Sequence, residues 1–366
     1  MKKPAWDVVV VGTGPGGCMV GKVCAKAGLD TLLVEKKILP RDKVCTGMVM
    51  GALAKNLIKE NFGEIPKDVL IEQGHYTGIT LHVGPNDRAE INTDIPVGWR
   101  KNLDYWMCRK AIEAGAQIKD GVRVESIRQH AGGYEVVLKE GKETVKIDAK
   151  FLIGADGALS VVRKSMYSAM KVHYRPAYRE CYGVQLSIER DRFHWFFPFA
   201  TPSPRFDINY KEDFLLIEGG SIRQMRDRVR QILQGHGFPP DAQPLWRDGC
   251  VLPLLRDDFI HGSFLPARDN VILVGDAAGL LLPFTHEGIG SALKSGLLAA
   301  ESVVETFVSG KDRADIRYLK RLEGMKLFLK DLAQMLREMD DVAKKGAGVL
   351  RDAMAEFIEK TIYEVL

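Results

Sequence analysis

The chain begins with a glycine pattern that could bind phosphate. In residues 7–11, Asp7 is followed by four β-branched valines, and this run leads into Gly12, Gly14 and Gly17 at the spacing Gly-x-Gly-x-x-Gly. In such a turn the first glycine permits the bend, the second lets the backbone approach a pyrophosphate, and the third lets a helix pack close to a strand. Pro15 lies inside the turn, and the free N–H groups at the start of the following helix could bind the anion.

An acidic residue follows a second short apolar run at the spacing that this turn requires. Residues 31–34 are apolar apart from the first and end in Glu35, about 20 residues beyond the glycines, where a carboxylate accepts hydrogen bonds from a ribose. Lys36 follows directly and is included in the same predicted site. Strand, glycines, helix, strand and acid together predict a dinucleotide-binding βαβ unit. An ordinary βαβ turn is the alternative.

Two later apolar runs also end in glycine and aspartate. Residues 150–157 end in Gly-Ala-Asp-Gly, and residues 270–276 end in Gly-Asp. Each alone could be a simple turn, because Asp-Gly is a frequent turn pair. With the N-terminal glycines they resemble the three signatures of the p-hydroxybenzoate hydroxylase-type flavoproteins, which bind FAD. This resemblance implies that the second signature, Ala155, Asp156 and Gly157, lies near the FAD pyrophosphate. It also implies that the third signature, Gly275 and Asp276, contacts the ribityl chain.

Three further segments belong to the same predicted FAD site. Gly288 and Ile289 begin a periodic helix, and its dipole could stabilise negative charge on a reduced flavin. Arg100 begins another helix, which resembles the helix whose arginine lies near FAD in that superfamily. A solvated arginine at a helix start is the alternative. Val124 lies on a strand similar to the one whose backbone lies beside the adenine.

Local stretches narrow the resemblance to the geranylgeranyl reductase family. Residues 40–47 resemble its Pro-x-x-Lys-x-Cys-x-Gly stretch, residues 193–198 its Tyr-x-Trp-x-Phe-Pro strand, and residues 283–289 its Pro-Leu-Thr-Gly-Glu-Gly-Ile stretch. The resemblance runs from about residue 5 to about residue 310. It implies that Lys43 and Cys45 lie near the flavin and that the aromatic strand lines a lipid pocket.

The sequence departs from the family on the predicted substrate side. Phe193 replaces the usual Tyr, His286 stands where Gly is common, and residues 199–204 replace a Gly-rich strand. These departures leave the cofactor prediction unchanged and the identity of the substrate open.

The aromatic strand could form a wall of a hydrophobic pocket. In an extended chain Phe193, Trp195 and Phe197 point to one side, while His194 and Phe196 point to the other. Three aromatic side chains on one face suit a hydrophobic substrate. Ordinary packing in a sheet core is the alternative.

The family resemblance implies an FAD-dependent reductase of isoprenoid carbon–carbon double bonds. Reduced flavin would deliver a hydride, and the electrons would come from NAD(P)H or from a reduced protein such as ferredoxin. Cys45, His286 or a flavin-bound water could supply the proton. Cys45 could equally be a small buried hydrophobic residue.

Three other functions stay open at this stage. The first is an FAD-dependent aromatic hydroxylase of the same superfamily, which would use oxygen. The second is a flavin electron carrier, disfavoured because no cysteine follows Cys250 to bind an iron–sulfur cluster. The third is a lipid-binding protein in which FAD is only structural.

The motifs predict an α/β (α+β) protein with a discontinuous FAD-binding domain. The predicted Rossmann-like domain comprises 1–50, 100–165 and 265–308, and an inserted antiparallel-sheet substrate domain comprises 51–99 and 166–264. Residues 309–366 show helical periodicity and form the predicted C-terminal helical region.

Composition argues against several classes of function. A net charge of +4 over 366 residues gives little support for nucleic-acid binding. The six cysteines are scattered without a Cys-x-x-Cys pair, so no metal site is expected. No apolar window reaches about 18 residues. We therefore expect a cytoplasmic enzyme acting on a hydrophobic small molecule or lipid, with peripheral contact to the cytoplasmic face of a membrane left open.

Overall fold

The strands of the chain form two β-sheets. The computed structural model describes residues 5–84, 87–311 and 313–363. The strands are β1 (Ala5–Val11), β2 (Thr31–Val34), β3 (Leu70–Val83), β4 (Asp87–Gly98), β5 (Gln117–Lys119), β6 (Val122–His130), β7 (Gly133–Glu140), β8 (Glu143–Gly154), β9 (Tyr174–Tyr182), β10 (Arg192–Phe197), β11 (Phe206–Lys211), β12 (Phe214–Gly219), β13 (Trp246–Pro253), β14 (Ala267–Arg268) and β15 (Val271–Leu273).

Helices cover these sheets and form the C-terminal region. They are α1 (Pro15–Lys26), α2 (Ala52–Phe62), α3 (Arg100–Glu113), α4 (Val161–Met166), α5 (Arg226–Gln234), α6 (Arg256–His261), α7 (Ile289–Ser309), α8 (Ala314–Arg321), α9 (Glu323–Ala343) and α10 (Ala347–Tyr363). None of the helices in the described part of the chain is both long and apolar enough to cross a membrane.

The first sheet has a parallel centre. Its strands run in the order β15-β8-β1-β2-β5, all parallel, with β14 antiparallel at one edge. Val8, Val9 and Val10 have no exposed surface, which explains why β1 is a continuous apolar run rather than an alternating one. β6 and β7 continue from β8 as an antiparallel meander.

The second sheet is antiparallel except at one junction. Its order is β13-β9-β12-β11-β10-β3-β4, and only β10 and β3 run parallel among its described strands. These two strands are separated along the chain by β5 to β8, which belong to the first sheet. A parallel pair needs such a long connection, whereas a hairpin gives an antiparallel pair. The predicted fold class, α/β with an added antiparallel sheet and C-terminal helices, is confirmed.

The two faces of the second sheet have different neighbours. Phe193, Trp195 and Phe197 pack in the core that also contains Phe284 and the C-terminal helices. Phe196 lies in a separate cluster with the apolar side of α5, which we call the outer cluster. We call the face that carries Trp195 the inner face. The alternation expected from the sequence is therefore present in β10.

One helix packs away from the sheet nearest to it in sequence. α2 lies within residues 51–99, yet Leu57, Ile58 and Phe62 pack with residues of α1, α3 and α7. The apolar stripe of α2 could not be assigned to either sheet from sequence, because periodicity identifies a buried side but not its partner.

α1 and α7 cross in close backbone contact. A Cβ added at Gly296 would lie 2.5 Å from the carbonyl oxygen of Gly16, and one added at Gly16 would lie 2.8 Å from that of Ala292. The phosphate-type turn and the start of α7 are therefore held together by small residues.

We expect Gly296→Ala to lower the free energy of unfolding by about 1–3 kcal/mol, because the new methyl group must push two helix backbones apart. Gly324→Ala is the matched control, since no atom lies within 4 Å of its added Cβ and alanine favours a helix. Urea titration of both variants measures the difference. A Gly296 variant as stable as wild type would contradict this packing.

Candidate cofactor and substrate site

The first and second glycine motifs are in backbone contact. Gly12 has a φ of 104°, and a Cβ there would lie 2.3 Å from the carbonyl oxygen of Ala155. The amide of Ala155 in turn donates to the carbonyl of Val11 at 2.8 Å. A Cβ at Gly17 would lie 2.0 Å from the carbonyl oxygen of Gly12. Only glycine fits these positions. The shape of the turn therefore depends on its backbone contacts with the second motif as well as on its own sequence.

The start of α1 is open to an anion. Pro15 occupies the first turn of the helix, and among the described residues no side chain caps Gly14. A Cβ at Gly14 would meet only an Arg41 nitrogen, at 3.9 Å. Backbone N–H groups at an uncapped helix start, approached past a glycine, are the arrangement that binds a pyrophosphate.

Glu35 is held at the end of β2 by the phosphate-type turn. Its Oε2 accepts from the Thr13 hydroxyl at 3.0 Å and from Arg41 Nε at 3.1 Å, and its Oε1 accepts from the amide of Lys37. Burial by itself would raise the pKa of Glu35, but Arg41 and these hydrogen bonds hold it below its ordinary value. Glu35 is therefore a charged acceptor beside the turn. Lys36, next to it, is exposed.

Arg41 connects Glu35 to α3. Its Nη1 lies 3.0 Å from Asp104 Oδ2, and Asp104 receives two bonds from Arg100, at 2.7 and 2.9 Å. All four side chains are nearly or fully buried. Burial by itself would raise the pKa of Asp104, but the two arginines hold it below its ordinary value. We call Glu35, Arg41, Asp104 and Arg100 the ion chain. Neither Arg41 nor Asp104 was predicted as a site residue from the sequence.

Cys45 lies at the far end of the ion chain. Its Sγ accepts from the amide of Gly47 at 3.3 Å. Burial by itself would raise the pKa of the thiol, but Arg100, Lys43 and that amide bring it below its ordinary value. Cationic surroundings of this kind favour the thiolate. Cys45 is thus chemically distinct from Cys24, whose pKa burial raises to about 12.

The second and third motifs are linked by a buried arginine. Arg163 Nη1 donates to the carbonyl of Ala277 at 2.8 Å. Asp156 Oδ2 accepts from the amide of Val161 at 2.6 Å at the start of α4, while its other oxygen is buried without a partner among the described residues. Gly157 follows with a φ of 78°. Val124 is buried on β6.

Asp276 faces the loop that carries Cys45. Its Oδ2 lies 3.3 Å from Lys43 Nζ, and a Cβ added at Gly288 would lie 3.3 Å from its Oδ1. Gly275 precedes it with a φ of 57°. The structure therefore brings the 40–47 loop, the third motif and the start of α7 to one place.

The start of α7 carries its own carboxyl group. Glu287 Oε1 accepts from the amide of Gly290 at 2.7 Å, and burial raises the pKa of Glu287 to about 7 despite the helix amides that oppose the shift. Ile289 is the first residue of this helix. His286 precedes Glu287, and burial, reinforced by Arg205, lowers its pKa to about 3. Near neutral pH its imidazole is therefore uncharged.

The inner face of the second sheet has an apolar column and a polar column side by side. We call Phe193, Trp195 and Phe197 of β10 the aromatic column. The polar column comprises Arg205, just before the neighbouring strand β11, and Asp207, Asn209 and Lys211 on it. These residues alternate with residues of the outer cluster. Trp195 pairs directly with Asp207 across the strands. The polar column was not predicted, although its alternation with Phe206 and Ile208 is visible in the sequence.

Contacts join this inner face to the predicted cofactor loops. Arg179 Nη1 donates to the carbonyl of Cys45 at 3.1 Å, and Arg205 Nη2 donates to the carbonyl of Phe284 at 2.7 Å. Lys211 Nζ lies 3.3 Å from the carbonyl oxygen of Gly98, close to Gly47. The inner face is therefore in direct contact with these loops.

The described residues fit an FAD better than a metal ion. The uncapped helix start, the charged Glu35 and the unpartnered oxygen of Asp156 are spread along the edge of the parallel sheet, as a long dinucleotide requires. In the described part of the chain no three His, Cys, Asp or Glu side chains are grouped to hold a metal ion.

Residues 5–185 match the family model of an FAD binding domain. A digeranylgeranylglycerophospholipid reductase of Methanosphaera stadtmanae is 27% identical over 93% of this chain and 91% of its own. A probable electron transfer flavoprotein-quinone oxidoreductase of Escherichia coli is 27% identical over 86% of this chain and 79% of its own.

Two solved structures share the fold over nearly the whole chain. A geranylgeranyl bacteriochlorophyll reductase-like protein of Thermoplasma acidophilum superposes with a TM-score of 0.75 at 20% identity, over 98% of this chain and 97% of its own. A p-nitrophenol 4-monooxygenase of Pseudomonas putida superposes with a TM-score of 0.71 at 16% identity, over 100% of both chains.

We expect Asp276→Ala to weaken FAD binding about tenfold or more, because a hydrogen bond to an ionised group is lost and Lys43 loses its partner. Ultrafiltration followed by flavin absorbance measures the retained cofactor. Asp241→Ala, which removes an exposed carboxylate from a turn, serves as the control. Full FAD retention by the Asp276 variant would contradict the assignment.

Asp207 predicts a pH-dependent stability difference. Burial raises its pKa from 3.8 to about 7. In the pH window between these two values the folded state keeps a proton that the unfolded state has released. This carboxyl group therefore costs stability as pH rises through the window. Relative to wild type, Asp207→Asn should gain about 2 kcal/mol between about pH 5 and about pH 7. Denaturant titrations at both pH values test this, and a difference independent of pH would refute it.

Proposed function

The chain carries an FAD binding domain and is an FAD-dependent oxidoreductase similar to the geranylgeranyl reductases, and on that premise we propose that it reduces carbon–carbon double bonds of an isoprenoid-type lipid. The observation that carries the proposal is the aromatic column on the inner face. Phe193 and Trp195 are edge to face at 5.5 Å, and Trp195 and Phe284 at 5.8 Å. Phe284 belongs to the predicted cofactor loop before α7, so these rings form a continuous apolar cluster between the inner face and that loop.

The residues that would hold FAD follow from the geometry. The start of α1 with Gly12 and Gly14 would bind the pyrophosphate, and Glu35 would accept from the ribose. Asp276 would contact the ribityl chain beside Lys43. Gly288 and Ile289 would lie against the flavin end, with Glu287 moderating the positive potential of the helix start.

The proposed reaction divides the work between cofactor and protein. Bound reduced FAD supplies a hydride to one alkene carbon. The protein must deliver a proton to the other carbon, exclude water and hold the alkene close to the cofactor. The aromatic column excludes water and could stabilise developing positive charge.

Cys45 is the better of the two proton-donor candidates. Its thiol has a pKa below the ordinary value, because Arg100 and Lys43 outweigh its burial. In its protonated form it therefore releases a proton more readily than a common thiol, and the thiolate that remains must be reprotonated before the next turnover. His286 is uncharged near neutral pH and could donate only from a neutral ring nitrogen. A water bound by the flavin is the remaining candidate.

A hydroxylase is the second candidate function. The polar column beside Trp195 would suit a polar aromatic substrate, and the fold is shared with a p-nitrophenol 4-monooxygenase. A hydroxylase would consume oxygen, whereas an alkene reductase must avoid it. The likeness to a quinone oxidoreductase keeps an electron carrier as a weaker proposal.

We further propose a cytoplasmic setting for this reaction. NAD(P)H or a reduced protein such as ferredoxin would supply the electrons. The lipid would be taken up at the cytoplasmic face of a membrane, through peripheral contact.

Anaerobic reoxidation of the flavin tests the proposed function. FAD in the loaded protein is reduced with dithionite, geranylgeranyl diphosphate is added, and flavin absorbance is followed. Reoxidation without oxygen is the expected result. Flavin that stays reduced until oxygen enters would contradict the proposal and favour the hydroxylase.

Trp195→Leu should leave FAD bound and slow reoxidation by the lipid about tenfold or more, since a 1 Å misplacement of a substrate can cost more than that. Phe196→Leu is the matched control, because it is equally buried on the same strand but points to the outer cluster. Stopped-flow absorbance compares the two rates. Equal rates in both variants would remove Trp195 from the pocket wall.

A further inference from the structure

Buried polar atoms without partners lie together on the inner face, beside the aromatic column. They are Trp195 Nε1, Arg205 Nη1, Asp207 Oδ1 and Asn209 Nδ2, none of which has a hydrogen-bond partner among the described residues. Trp195 is 2% exposed and Asn209 is fully buried. Unpaired buried polar atoms are rare because each costs free energy. Finding such atoms on Trp195 and on alternate residues from 205 to 209 beside it indicates a place built to receive a ligand.

We propose that the polar column binds an anionic oxygen group, a carboxylate or a phosphate, at one end of an otherwise hydrophobic substrate. This inference rests on the proposed function, because it names the chemistry of the same substrate's polar end. Three of the four unpaired atoms are N–H donors, so the group that satisfies them must be rich in acceptor oxygens.

Arg205 is positioned rather than free to move. Its guanidinium lies 4.1 Å from the ring centroid of Phe284 and 5.0 Å from that of Trp195, and its Nη2 donates to the carbonyl of Phe284. Its Nε is 3.8 Å from Asp207 Oδ1, too far for a hydrogen bond. A guanidinium fixed between two rings with one nitrogen unpaired is arranged to bind an oxygen.

The surrounding charge favours an anion. Arg175 and Arg205 both act on Asp207 and on His286, and Arg256 adds to their effect on His286. Glu218 lies on the other side of Asp207 and raises its pKa further. Because His286 is uncharged and the Asp207 carboxyl holds its proton up to about pH 7, the positive charge of the arginines is only partly balanced.

Asn209 extends the polar column away from Arg205. Its side-chain amide lies 3.3 Å from the hydroxyl of Tyr76, which donates its single proton to the carbonyl of Tyr210 at 2.5 Å. Asp207 pairs with Trp195 across the strands. A substrate whose anionic end is bound by the polar column would therefore have its hydrocarbon chain beside the aromatic column. The two columns thus suit one amphipathic molecule.

A matched pair of ligands tests this inference by binding alone. Geranylgeranoic acid and its methyl ester share one hydrocarbon chain and differ in charge. Isothermal titration into the FAD-loaded, oxidised protein gives both dissociation constants. We expect wild type to bind the acid about tenfold more tightly than the ester, as a charged hydrogen bond provides. Geranylgeranyl phosphate, titrated in parallel, distinguishes a phosphate from a carboxylate as the better ligand.

Variants locate the preference. Arg205→Gln should reduce the preference for acid over ester to about twofold or less, because it removes the charge and keeps a polar side chain. Arg223→Gln is the control: this arginine also stacks on a ring, that of Tyr178, but it is exposed and should keep the full preference. FAD content and thermal unfolding confirm that both variants fold.

The outcomes separate this inference from the proposed function. Equal affinities for acid and ester, or an acid preference that survives Arg205→Gln, would overturn the inference even if the lipid is reduced. An acid preference that depends on Arg205, without any double-bond reduction, would retain the polar subsite and refute the reductase. If neither ligand binds, the inference is overturned, and the anaerobic reoxidation test decides the reductase separately.

Discussion

The cofactor loops depend on the buried ion chain of Glu35, Arg41, Asp104 and Arg100. Burying a charge costs free energy, and removal of one partner leaves the remaining buried charges uncompensated. The ion chain ties the end of β2, the loop after it and the first turn of α3 into one unit. It also places a cation beside Cys45 and thereby lowers the pKa of that thiol. The position of Glu35 and the chemistry of Cys45 are therefore physically coupled.

Backbone contact supplies the second constraint. Gly12 against Ala155, and Gly296 against Gly16, leave no space for side chains where the motifs meet. Arg163 then joins the second motif to the third through the carbonyl of Ala277. Segments far apart in the sequence therefore form one continuous edge, and this explains how the cofactor residues can be so dispersed.

Much of the fold was predictable because its signals are local. The β-branched run of β1, the glycine spacing and the alternation in β10 each reflect the geometry of a single element. The partners of α2 and the parallel pairing of β10 with β3 were not predictable, since they depend on which distant elements meet. Arg41 and Asp104 were missed for the same reason: an isolated charge in sequence gives no indication of its partner.

The inner face of the second sheet combines an aromatic column with a polar column. Its aromatic column matches a strand found in geranylgeranyl reductases, whereas Arg205 and Asp207 follow directly after the stretch in which this sequence departs from them. An apolar wall paired with a polar one selects for an amphipathic molecule. The shared fold alone would not indicate this selectivity, because the same architecture also occurs in a monooxygenase.

The central claim is that an alkene receives a hydride from flavin and a proton through the protein. The most direct test is a single anaerobic turnover in D2O, in which the hydrogen carried by reduced flavin exchanges with solvent, followed by mass spectrometry of the lipid. The account predicts two deuterium atoms added for each double bond reduced. A lipid that emerges without deuterium, and gains oxygen when air is admitted, would contradict it.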